Sequence, residues 1–137
     1  MPQKNWIDKL NENKTSQIKR IEKKFADIPA DSNMFIATPN IIEAYIQNIG
    51  YGKQVDIKTI RKDLALDHNA DYTCPVTTGI FLRIVAEANY EKLQQGKSIT
   101  EITPFWRAIA PDSALAQKLS FGQEFLIQQI ENERKSL

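Results

Sequence analysis

One stretch limits the folds open to this chain more than any other: Asp71-Tyr72-Thr73-Cys74-Pro75-Val76-Thr77-Thr78-Gly79-Ile80-Phe81-Leu82-Arg83-Ile84-Val85-Ala86-Glu87-Ala88-Asn89. A Pro at the first helical position marks a helix start, because the N–H that proline lacks has no partner there anyway. The residues that follow are apolar nearly all round the helical wheel, and a helix of that kind is buried. The spacing predicts a long helix over Cys74–Leu93, ended by Gly96-Lys97-Ser98. A chain with such a helix has to wrap its other elements around it. Arg83 interrupts the wheel, and Glu87 stands one turn further on.

Two more helices follow from the same rules. Thr38-Pro39 is a polar cap followed by Pro, and Ile41, Ile42, Tyr45, Ile46 and Ile49 trace one stripe until Gly50 and Gly52 stop it. Asp56 can cap a helix that turns Ile57, Ile60 and Leu64 inward and Lys58, Arg61, Lys62 and Asp63 outward. The polar link Asp67-His68-Asn69-Ala70-Asp71 joins it to the long helix, and this short-link, longer-second-helix outline is that of a helix-turn-helix. Ile102 to Ile109 reads as an extended apolar segment, and Pro104 confines it to an edge strand or an irregular buried loop. A Ser120–Gln123 capping box is expected to open a closing helix through Phe125, Leu126 and Ile130.

Upstream, Ile7, Leu10, Ile18, Ile21 and Phe25 recur at near-helical spacing, so a helical arm is expected there. Residues 1–28 carry seven Lys or Arg against four Asp or Glu. Those cations suit a solvated helix face, or a phosphate-contacting arm as the sharper alternative. Pro29 and the polar run after it end the arm. The division expected is a basic helical extension over 1–33 and a domain over 34–137, with the extension as the surface for any protein partner.

The reactive inventory is thin. His68 is the single histidine, so any Ser-His-Asp triad, Cys-His dyad or His-containing metal site has to use it. His68, Asp71 and Cys74 are close in sequence, but they lack the Cys-x-x-Cys or His-x-x-x-His spacing of a metal site, and none is expected. Cys74 at a helix start is open to thiolate activation, against the blander reading of a small buried capping residue. Gly50-Tyr51-Gly52-Lys53 has the spacing of neither a P-loop nor a dinucleotide fingerprint, and no cofactor is expected. Eighteen Lys plus Arg against 17 Asp plus Glu leave a net charge of +1, which makes no global case for nucleic acid or membrane. With no signal-like apolar run, no span of membrane length and a lone thiol, a soluble cytoplasmic protein is expected.

Three blocks, in order, resemble the C-terminal DNA-binding domain of alkylguanine-DNA alkyltransferases and the alkyltransferase-like proteins. The first is the helix Ile41–Ile49 with the following Gly52-Lys53-Gln54-Val55, similar to the family's helix and Gly-Lys-Val turn. The second is Arg83-Ile84-Val85-Ala86-Glu87-Ala88, similar to the recognition-helix motif Arg-Ala-Val-Gly-x-Ala. The third is Ile102-Thr103-Pro104-Phe105-Trp106-Arg107-Ala108-Ile109, which shares Ile, Pro, Arg and the final Ile with the active-site motif Ile-x-Pro-Cys-His-Arg-Val-Ile. The match spans roughly Thr38 to Glu133 and leaves the N-terminal segment outside.

The resemblance implies a mainly α domain with a small β wing, winged-helix-like and built on a helix-turn-helix. The family's acceptor cysteine falls on Phe105 and its histidine on Trp106, so neither nucleophile nor base remains and alkyl transfer is not expected. What it leaves is a non-catalytic binder of double-stranded DNA that recognises alkylated or distorted sites. Arg83 falls on the arginine that replaces a flipped nucleotide. Lys58, Arg61, Lys62, Thr77 and Thr78 would contact the duplex with it, and Pro104, Phe105, Trp106 and Arg107 would line the former alkyl pocket. A buried or half-buried Arg83–Glu87 pair stands level with the DNA reading. The alternative function is a degenerate domain that binds a small molecule or a protein around Phe105 and Trp106.

Overall fold

The computed structural model describes residues 5–137; the first four residues of the expected extension lie outside them. Six helices are described, α1 (Trp6–Leu10), α2 (Pro39–Gln47), α3 (Ile57–Asp67), α4 (Pro75–Gln94), α5 (Ala114–Lys118) and α6 (Glu124–Lys135). A small sheet is built from β1 (Gln17–Ile21), β2 (Ser32–Ile36) and β3 (Tyr72–Thr73). The architecture is therefore mainly helical with one three-stranded sheet. No helix among the described residues is long and apolar enough to cross a membrane.

The local signals act where the sequence places them. The Thr38 hydroxyl accepts the Ile41 N–H at 3.2 Å and Pro39 occupies the first turn of α2, while the Asp56 carboxylate accepts the Thr59 N–H at 2.8 Å to open α3. Pro75 opens α4, whose capping residue Cys74 makes no side-chain cap bond. Nine α4 side chains from Thr78 to Asn89 are buried, among them Leu82, Val85, Ala86 and Ala88 with no exposure at all. Their burial makes α4 the axis of the molecule: α1 and α2 pack on one side of it, and the turn Phe105–Arg107 and α5 on another. Ile60 and Leu64 face inward as expected, but Ile57 is exposed, on the wall of a cavity it shares with Val55 and Ile109.

Between Ile7 and Phe25 the structure departs from the helical reading. Only Trp6–Leu10 is helical, and Gln17–Ile21 is a strand. The physical cause lies elsewhere in the chain. β2 is an apolar strand with Met34 and Phe35 buried, and buried backbone N–H and C=O groups have to be paired. β2 meets that demand with β1 antiparallel on one side, Gln17 opposite Ile36 and Ile21 opposite Ser32, and with β3 parallel on the other, Phe35 opposite Thr73. The expected boundary at 29–33 falls at the end of this hairpin connection. Leu10 lies in the same core as α2, α3 and α4, and Ile21 and Ile28 pack with Met34 and Cys74.

Of two further expectations, the first is met in one of its two forms and the second changes. Residues 102–109 form an irregular buried loop with a single 3₁₀ turn at Phe105–Arg107 and no edge strand. The Ser120–Gln123 box does not form: α6 begins at Glu124 with no side-chain cap from Gln123. The Ser120 N–H and hydroxyl instead donate to the buried Glu87 carboxylate at 2.9 and 2.5 Å. A charge-assisted tertiary bond outweighs a local cap bond of about 1 kcal/mol.

Candidate functional site

Arg83 sits on the outer side of α4 with its side chain 37% exposed. Its Nε lies 3.6 Å from Glu87, beyond hydrogen-bond distance, and its guanidinium carbon stands 5.2 Å over the Trp6 ring. Glu87 is buried and already accepts from Ser120, so Arg83 makes no hydrogen bond among the described residues. The arginine is thus half-buried, held by a loose ion pair and a cation–π contact. One and two turns back along α4, Ile80, Gly79 and Val76 line the same groove, with Val76 53% and Ile80 51% exposed. Lys9 from α1 and Lys118 from α5 flank it, and the whole groove encloses about 650 Å³.

The other expected DNA contacts are dispersed. Lys58 and Lys62 are exposed on α3 but line a separate hollow with Asp27 and Tyr72, away from the Arg83 groove. Arg61 is engaged within the protein: its guanidinium grips the Asp27 carboxylate with two bonds of 2.7 and 2.8 Å, and its Nε donates to the Thr73 carbonyl. That grip holds the Asp27 carboxyl below the usual carboxylate range. Thr78 is fully buried and donates to the Cys74 carbonyl, which removes it from any surface contact. Thr77 is half-buried with its hydroxyl oxygen shielded and unpaired.

The four expected pocket residues also divide. Phe105 has no exposure; it packs among Trp106, Phe121 and Phe125 at ring separations of 5.4 to 5.6 Å. A side chain that fills its own site leaves no space for an alkyl group there. Pro104, Trp106 and Arg107 border a polar cleft of about 560 Å³. On their other side Trp106 and Arg107 border a more apolar cavity of about 490 Å³, with Val55, Ile57, Leu82, Ile109 and Leu115. Leu115 also lines the Arg83 groove, so cavity and groove share a wall.

Glu133 organises this region. Its carboxylate accepts the Trp106 indole N–H at 2.8 Å, the Gly52 N–H at 2.8 Å and the Arg107 guanidinium at 2.8 to 3.1 Å. Arg107 donates as well to the Ile49 carbonyl. Burial pushes the Glu133 carboxyl up, but the bonds from Arg107, Gly52 and Trp106 outweigh it and hold it below the usual range. Sequence reasoning did not single out Glu133, although a signal was there. It falls seven residues after Leu126 and three after Ile130, on the inward stripe of α6, where a carboxylate needs a buried partner.

The remaining reactive groups are placed apart. The His68 ring stacks on Phe35 at 4.0 Å, and Cys74 lies buried beneath the β1–β2 hairpin with Ile21, Ile28 and Met34. Among the described residues no three His, Cys, Asp or Glu side chains converge as metal ligands would. Comparison with known proteins adds no constraint: no family model, curated protein or solved structure matches the chain.

Proposed function

We propose that the chain is a non-catalytic, alkyltransferase-like DNA-binding protein, with α3 and α4 as the helix-turn-helix pair of a winged-helix-like domain working in the cytoplasm. The observation that carries this reading is the outer stripe of α4. Val76, Gly79, Ile80 and Arg83 follow one another at i, i+3, i+4 and i+7 between Lys9 and Lys118, with Val76 and Ile80 exposed and Gly79 and Arg83 half-buried. Proteins that dock in the minor groove combine arginine with apolar wedges, and a glycine on the docking face lets the helix backbone come close. The Arg83 Nε is shielded, but its partly exposed guanidinium end forms no hydrogen bond with the described residues, and Lys9 and Lys118 flank it as phosphate contacts would.

The apolar cavity behind Leu115 gives an extrahelical base somewhere to go, since a flipped base is held by apolar and aromatic walls. Phe105 and Trp106 stand where the resembling family has its cysteine and histidine, so the function is recognition without transfer. Lys58 and Lys62 lie off the stripe and are left out of the interface.

Fluorescence anisotropy with a plain duplex and with one carrying an alkylguanine tests the proposal. At about 50 mM salt, where phosphate contacts are strong, binding in the micromolar range that weakens as salt rises is expected. Arg83→Ala should lower affinity about tenfold, against less than twofold for the remote Lys135→Ala. Absence of binding at low salt, or an Arg83→Ala protein that binds as tightly as wild type, refutes it.

A further inference from the structure

The polar cleft on the far side of Trp106 carries its own chemistry, independent of the α4 stripe. It is bordered by α2, α4, the loop before Phe105, and α6. Its wall is a network whose orientation the donors determine. The Thr103 N–H can only donate, so it fixes the side-chain oxygen of Asn89 at 2.9 Å. The Asn89 amide nitrogen therefore points the other way and donates to the Val85 carbonyl and to Glu43 Oε2, at 2.8 and 2.9 Å. Glu43 can only accept, so the Thr103 hydroxyl gives it its proton at 3.0 Å, and Gln47 has to turn its NH₂ toward Thr103 at 3.1 Å.

The result is a carboxylate fixed in place by two donors from a buried Asn and a buried Thr, yet without an ion-pair partner among the described residues. Glu43 Oε1 receives no hydrogen bond from the described residues, and neither does Gln47 Oε1. Both residues line the cleft, with Tyr51, Ile99 and Trp106 as its flatter walls. The cations nearby do not cancel Glu43. Arg107 is taken up by Glu133, and Lys92 at the rim forms no salt bridge with it. A purely structural clamp between α2 and α4 needs no charge; an amide at residue 43 would tie the same donors.

We propose that this cleft is a binding site for a small, N–H-rich organic cation of the guanidinium or amidinium class, held by Glu43 with Gln47 as second acceptor. A charge-assisted bond in a half-enclosed site is stronger than a neutral one, and the two free acceptors ask for a ligand with several donors. Agmatine and benzamidine are suitable probes, and urea, with the same donors and no charge, is the control.

The test is a ¹⁵N–¹H titration of the full chain. Agmatine or benzamidine should produce saturable shifts at Gln47, Asn89, Thr103 and the Trp106 indole N–H, and urea none at equal concentration. Glu43→Gln, which keeps the shape and the Thr103 and Asn89 bonds, should weaken the probe about tenfold or more. Gln47→Ala, at an exposed site where folding is not at stake, should weaken it severalfold. No saturable shift with either cation overturns the site, as do shifts confined to the α4 stripe or a Glu43→Gln protein that binds as wild type does. None of these outcomes depends on DNA.

Discussion

Replacing Glu133 by alanine puts the largest single demand on the structure. The change leaves the Arg107 guanidinium, only 13% exposed in its side chain, without its counter-charge. It also leaves the Trp106 and Gly52 N–H groups without their acceptor. Removing one partner of a buried ion pair costs roughly 3–5 kcal/mol. Because Glu133 borders the polar cleft, water can enter and partly solvate what remains, so the lower end, about 3 kcal/mol, is expected. For a chain of 137 residues that corresponds to roughly 10 °C in Tm. Urea unfolding followed by Trp fluorescence and by circular dichroism measures it, with Glu131→Ala as control, since Glu131 forms only an exposed pair with Arg134 at 3.5 Å. Glu133→Gln keeps an acceptor but not the charge and should fall between the two.

The pH dependence follows from the direction of the shift. The folded Glu133 carboxyl titrates below its unfolded value of about 4.3. Its stabilisation is therefore complete above that value and is lost as pH falls through the lower folded one. The gap between wild type and Glu133→Gln should be constant near pH 7 and close below about pH 4. A Glu133→Ala loss under about 1 kcal/mol, no larger than that of Glu131→Ala, would refute the argument that this carboxylate holds the 105–107 turn in place.

Two further outcomes follow from packing. Phe105→Ala should cost about 3–5 kcal/mol, because the ring is fully buried among Trp106, Phe121 and Phe125; thermal denaturation reads it, and a loss under about 1 kcal/mol would mean that the site collapses freely. The Cys74 thiol, 4% exposed beneath the hairpin, should react with a maleimide only as fast as the domain opens, accelerating with urea; rapid labelling in native buffer would contradict its burial.

The half-buried Arg83 shows why sequence periodicity alone left its two readings level. Its own helix presents it outward between apolar neighbours, and nothing local says that Trp6, seventy-seven positions upstream, will lie across it. The result is intermediate, an arginine neither locked by Glu87 nor free. The same limit applies to Thr78 and Arg61, which look like surface polar residues on a wheel but are claimed by the Cys74 carbonyl and by Asp27.

What the sequence by itself determined is the set of local helix decisions. Thr38 with Pro39, Asp56, and Pro75 start α2, α3 and α4 where they stand because caps and a fixed proline φ act over three or four residues. The apolar wheel of α4 likewise dictated a buried central helix. Tertiary structure decided the rest. Gln17–Ile21 became a strand because β2 needed a partner, Ser120 gave up a local cap for Glu87, and Glu133 gathered Trp106, Arg107 and Gly52 from two other segments. Each of those outcomes is set by a buried polar group whose partner lies far away in the chain, and periodicity within one segment cannot contain that information.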